Sequence, residues 1–202
     1  MTSLLLALAL QVKTDPAAVF VWKATRDTVG GVQRKVNDKW VHAGTCFVVK
    51  FGAKQYVVTA KHVTKGPELE RIVMDGGKIY NVTFKESKDY DLSAALISGL
   101  KDRPFNAIKL SPGETVFSMG LPLSDGMTIS AGLVNKDEQK SDDGLLYTGH
   151  SATIAYGNSG GPLYNEKAEV VGVNVLIQPS FNHLNYAVPQ RHMQEFLTEV
   201  SK

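Results

Sequence analysis

At 202 residues, with 43% apolar and 21% charged side chains, the chain is long enough to bury a core and has the balance of a globular protein. A formal net charge of +2, with lysines and arginines scattered, gives no basis for a nucleic-acid partner. The single cysteine, Cys46, excludes an intramolecular disulfide, so packing must hold the fold; redox compartment and localisation stay open.

Residues 1–16 form an N-terminal segment whose apolar run, residues 4–10, is too short to span a bilayer. It reads as a minimal signal core without a basic flank or clear cleavage site, or as an initial helix. From residue 17 the texture becomes short strands and turns. Residues 18–22 are a predicted buried strand, opened by Asp15-Pro16, and Gly30-Gly31 and Asn37-Asp38 bound a predicted polar hairpin. Further predicted strands cover 44–51, 55–60, 71–74, 78–84, 92–97, 115–119, 128–134, 145–150, 170–177 and 184–188. Runs this short at such regular spacing predict an all-β sandwich or barrel. One helix is predicted at 189–202, where Pro189 precedes Met193, Phe196, Leu197 and Val200 at i, i+3, i+4 and i+7. The mildest punctuation, Lys101-Asp102-Arg103-Pro104, divides the rest into β halves at 17–108 and 109–188.

The most informative stretch is Gly157-Asn158-Ser159-Gly160-Gly161-Pro162-Leu163. Glycine loses more backbone freedom on folding than any other residue, so such a run serves a special backbone geometry. One such geometry presents a serine hydroxyl beside free N–H groups able to stabilise an oxyanion. A serine nucleophile needs a base and an orienting acid. His62 follows the apolar run Tyr56-Val57-Val58-Thr59-Ala60, where a strand end fixes the ring and leaves its edge accessible. Asp91 opens the apolar stretch Leu92-Ser93-Ala94-Ala95-Leu96-Ile97, and its burial pattern favours it over Asp89.

Thr59-Ala60-Lys61-His62-Val63, Asp91-Leu92-Ser93-Ala94 and the Ser159 motif, in this order, resemble the three signature segments of trypsin-like serine proteases, nearest the HtrA/Deg branch. The resemblance runs from about Val19 to Phe196. It also takes in Gly44-Thr45-Cys46-Phe47, Met119-Gly120-Leu121-Pro122 and Asn185-Tyr186-Ala187-Val188-Pro189. It implies two packed six-stranded antiparallel β-barrels with a C-terminal helix, and a serine endopeptidase acting on protein or peptide through an acyl-enzyme. Ser159 would attack the scissile carbonyl, His62 would move the proton and Asp91 would orient His62, with the N–H groups of Gly157 and Ser159 as oxyanion hole. The alternatives are a silent peptide-binding module of the same fold and an esterase using the same triad.

By the same resemblance, Thr153, Ile154, Ala155 and Tyr156, facing Val175, Leu176 and Ile177, would wall the pocket for the residue before the scissile bond. None is charged, so a small or medium apolar residue is expected there. His183 offers a rival reading, recognition of Glu or Gln, against that of an ordinary loop histidine. Asn158 stands where digestive relatives carry the aspartate of their activation switch, which is therefore not expected. Cys46 replaces a frequent glycine and reads as a small buried hydrophobe. The sequence ends just after the predicted helix, with no PDZ-like module, and the segment to Asp15 is a candidate for self-association. Asn81-Val82-Thr83 fits a glycosylation acceptor, meaningful only in a eukaryotic secretory pathway. The histidines and Cys46 show no close ligand spacing, so neither metal nor cofactor is expected.

Overall fold

The computed structural model describes residues 15–66, 70–105, 108–122, 126–140, 144–177 and 184–202. The first element corrects the sequence reading. Residues 18–22 lie within a helix, α1 (Pro16–Thr25), not a strand. Asp15 Oδ1 accepts from the N–H groups of Ala17 and Ala18, and Pro16 occupies the first turn. These end signals outweigh the strand preference of an apolar run.

Two β-systems follow. In the first, β1 (Val29–Val36) and β2 (Lys39–Phe51) form a hairpin across Asn37 and Asp38, both at positive φ (48° and 62°). This is the two-residue turn that suits strand twist. Gly30-Gly31 lies inside β1 instead of bounding it. A Cβ on Gly30 would come within 2.7 Å of the Val73 carbonyl oxygen, so glycine there lets the next strand approach. Then come β3 (Lys54–Thr59), a one-turn helix α2 (Lys61–Thr64), β4 (Glu70–Met74), β5 (Ile79–Asn81), β6 (Lys85–Glu86), β7 (Ser93–Ile97) and β8 (Arg103–Pro104). The second system holds β9 (Thr115–Gly120), β10 (Thr128–Lys140), β11 (Leu146–His150), β12 (Pro162–Asn165), β13 (Val170–Ile177) and β14 (Asn185–Pro189). Helix α3 (Gln190–Val200) follows.

Only the second system is the expected six-stranded barrel, closed in the order β10-β11-β14-β13-β12-β9. The first is an eight-stranded open sheet, β5-β4-β1-β2-β3-β7-β6 with β8 on β2, and corrects the expectation of two six-stranded barrels. Its physical origin is the predicted strand 78–84, of which only Ile79–Asn81 is strand. The chain leaves one sheet edge at β5 and rejoins the other at β6 through Val82-Thr83-Phe84. That link spans at most roughly 14 Å. The edges are thus neighbours joined covalently, without a hydrogen-bonded ladder between them.

Both systems and α3 share one apolar core that includes Phe47, Val57, Met119, Tyr164 and Val173. Met193, Phe196 and Leu197 present the buried face of α3, as the sequence periodicity predicts. Among the described residues, no helix is long and apolar enough to cross a membrane. Phe196→Ala is expected to lower unfolding stability by about 3–5 kcal/mol, the usual loss for a buried aromatic. Urea denaturation of the purified chain measures it.

Candidate active site

His62 lies in α2, whose N-cap position is Ala60 at the end of β3. Asp91 grips it twice: Oδ1 accepts the His62 backbone N–H at 2.9 Å, and Oδ2 lies 2.7 Å from Nδ1. A carboxylate only accepts, so Nδ1 carries the hydrogen, and in the neutral form of the ring the lone pair is on Nε2. Burial alone would raise the Asp91 carboxyl. The His62 hydrogen bonds, the His62 charge and nearby Lys61 outweigh it and hold the carboxyl below its ordinary value. Asp89, the rival acid, is exposed and bonds through its backbone N–H to Ser87 Oγ.

The loop carrying Asp91 is tied on three sides. Ser87 Oγ accepts from the Asp89 and Tyr90 N–H groups, and the Ser87 N–H donates to the Leu92 carbonyl. Lys61 Nζ donates to the Ser87 carbonyl at 2.8 Å. Tyr90 stacks on His192 of α3 with ring centroids 4.3 Å apart, and its hydroxyl donates to Glu195. That bond is the main cause pushing the Tyr90 phenol up to about 12. None of these ties was read from the sequence; the serine-then-polar pattern at Ser87 is the one turn signal that pointed to any of them.

Ser159 sits on the loop between β11 and β12, where donors alternate. The N–H of Asn158 bonds to Ala155, that of Gly160 to Asn174 and that of Gly161 to Asn158. The N–H groups of Gly157 and Ser159 have no partner among the described residues. The first of these bonds closes a four-residue turn with φ of 98° at Gly157, the type II pattern that calls for glycine. Gly160, at φ 83°, lies so close to β2 and β3 that a Cβ would meet Thr59 Oγ1 at 2.0 Å and the Thr45 carbonyl at 2.3 Å. Gly44 performs the same service opposite: a Cβ there would touch both the Ser159 carbonyl and Val63, the neighbour of His62. Ser159 and the His62 turn therefore flank one glycine. The Ser159 hydroxyl makes no hydrogen bond among the described residues.

A sequence profile described as "Trypsin-like peptidase domain" matches residues 44–173. The chain belongs to that family, in its HtrA branch. Human serine protease HTRA3 is 30% identical over an alignment of 155 residues that covers 71% of this chain and 34% of the human protein. The bovine mitochondrial serine protease HTRA2 is 29% identical over 92% of this chain and 41% of its own length. The chain thus spans about a third to two fifths of these relatives. Among solved structures, a serine endoprotease from Yersinia pestis superposes with a TM-score of 0.80 at 21% identity, covering 93% of this chain and 67% of its own. The HtrA-type protease AlgW with decapeptide gives 0.78 at 16% identity, covering 91% and 67%.

Against this trypsin-like frame the predicted pocket wall divides. Thr153, Ala155 and Tyr156 face solvent, Tyr156 at 80% exposure, while Ile154 and Val175 turn inward at 8% and 3%. Leu176 and Ile177 pair with Tyr186 and Asn185 on β14; their side chains, like all of His183, lie outside the described residues. Asn158 is buried against Gly120, and its amide oxygen has no partner. An aspartate there would bury an unpaired charge. Cys46 is fully buried opposite Gly30 on β1, and burial pushes its thiol well up, which removes any reactive thiolate.

His150 of β11 is completely buried, and neither ring nitrogen finds a partner in hydrogen-bonding geometry. Burial dominates and pulls its pKa from 6.5 to about 4; Asn174 and the Ala152 backbone favour the cation only weakly. Between these values the unfolded chain binds the proton and the fold does not, so stability falls as pH drops from 6.5 towards 4. The loss is expected to reach roughly 3 kcal/mol. Urea midpoints at pH 7 and 4.5 measure it, with His150→Leu flattening the difference.

Proposed function

We propose that the chain is a serine endopeptidase in which Ser159, His62 and Asp91 cut peptide bonds through an acyl-enzyme. The observation that carries this reading is the pair of unpaired N–H groups, Gly157 and Ser159, either side of Asn158, whose own N–H is engaged, as are those of Gly160 and Gly161. Paired donors of this kind bind the oxygen that becomes negative when a carbonyl is attacked, and each contributes about 3–4 kcal/mol to the transition state.

With Nδ1–H committed to an ionised Asp91, His62 Nε2 accepts the Ser159 proton as Oγ bonds to the scissile carbon. The imidazolium that forms is stabilised by the carboxylate. It returns the proton to the leaving amine as the C–N bond breaks, leaving an ester on Ser159. Water then gives its proton to the same nitrogen and its oxygen to the acyl carbon, and the peptide acid leaves as Ser159 recovers its hydrogen. For the residue before the scissile bond we assign a small or medium apolar side chain, because the wall segment carries no charge.

The test is labelling by a fluorophosphonate together with cleavage of a peptide library. Wild-type protein is expected to label and to cut after apolar residues, and Ser159→Ala and His62→Ala to lose both. Asp91→Asn should retain the fold and lower kcat by about four orders of magnitude, the size of this exchange in a Ser-His-Asp triad. Folded wild-type protein that neither labels nor cleaves would overturn the reading and favour a binding module.

A further inference from the structure

Thr45 of β2 belongs to the opposite sheet from Ser159 and has no solvent exposure, yet every polar atom it owns is engaged at or beside the Ser159 loop. Its N–H donates to the Ser159 carbonyl at 2.8 Å, and its hydroxyl donates to the Gly157 carbonyl at 2.7 Å. The same hydroxyl accepts the Leu121 N–H at 2.9 Å, and the Thr45 carbonyl accepts the Thr59 hydroxyl at 2.7 Å. Leu121 is held from its other side, because His42 Nε2 lies 2.9 Å from its carbonyl and must carry the hydrogen there.

A peptide unit is planar, so holding its C=O and its N–H together fixes its orientation. Thr45 does half of this at two alternate units. The Gly157–Asn158 unit is held by the Thr45 hydroxyl at one end and the Ala155 carbonyl at the other. The Ser159–Gly160 unit is held by the Thr45 N–H and the Asn174 carbonyl. Between them the Asn158 carbonyl accepts from Gly161, which directs the Ser159 N–H of the same unit away from that bond. We propose that Thr45 is a positioning residue whose hydroxyl, anchored through Leu121 and His42, keeps the Gly157 and Ser159 N–H groups converging on one oxygen. The role needs a group that donates and accepts at once, which a serine or threonine hydroxyl does and a valine cannot. The inference rests on the proteolytic reading of Ser159.

The experiment compares Thr45→Ser, Thr45→Cys and Thr45→Val with wild type, each confirmed folded by thermal unfolding. Thr45→Ser is expected to keep kcat close to wild type. Thr45→Val should lower kcat about 100-fold, as for a reacting group displaced by roughly 1 Å, with KM little changed. It should weaken a peptide aldehyde, whose adduct carries the oxyanion, by a similar factor. Thr45→Cys, matched to serine in size but a poor donor and acceptor, should follow valine and keeps the comparison available if the valine variant does not fold. Unchanged kcat and aldehyde affinity in folded Thr45→Cys or Thr45→Val, with active wild type, would overturn this role alone. Wild-type protein without activity would overturn both readings together.

Discussion

The structure depends on a place where two backbones approach with no side chain between them. Gly44 on β2 and Gly160-Gly161 on the Ser159 loop meet where any Cβ would collide with a carbonyl oxygen. The contact permits two bonds of opposite allegiance: the Ser159 carbonyl accepts from Thr45 in the open sheet, and the Gly160 N–H donates to Asn174 in the closed barrel. The loop is therefore a seam between the two β-systems, and its conformation is set by both. Glycine, costly in an ordinary strand, is required here for that approach.

His62 and Asp91 are built on the other principle, local closure. A one-turn helix turns the chain after β3, and a tight loop folded on Ser87 returns Asp91 under it. The Tyr90 contact with His192 and Glu195 then fastens that loop to α3. The C-terminal helix, which the apolar periodicity makes look like a simple core filler, therefore also supports the Asp91 loop from behind.

The residues proposed for chemistry are those that a local pattern singles out in the sequence, and the hydrogen-bonded pairing of His62 with Asp91 is what the structure adds to that pattern. Ser159 sits among glycines, His62 ends an apolar strand and Asp91 opens one, and each pattern survives in a single sequence. Features that depend on distant partners were not readable. Thr45 looks like any strand threonine until Gly157, Ser159 and Leu121 are brought to it from more than seventy residues away. His150 occupies a strand position whose burial only the closed barrel creates. The α1 segment was misread because apolar composition was weighed above its Asp-Pro start. The open first sheet was missed because strand propensity over 78–84 does not reveal where pairing stops.

That open sheet has a consequence for how the protein can be altered. Both unpaired edges are short, and β6 consists of Lys85 and Glu86, a charged pair that discourages a second sheet from adding to it. The link between them takes part in no ladder, so lengthening it breaks no register, and each doubling of a flexible loop costs only about 0.6 kcal/mol. Val82 and Phe84 pack against the core while Thr83 between them is exposed, so Thr83 is the natural insertion point: an epitope, a reporter or a binding module could be spliced in there with both flanking anchors kept.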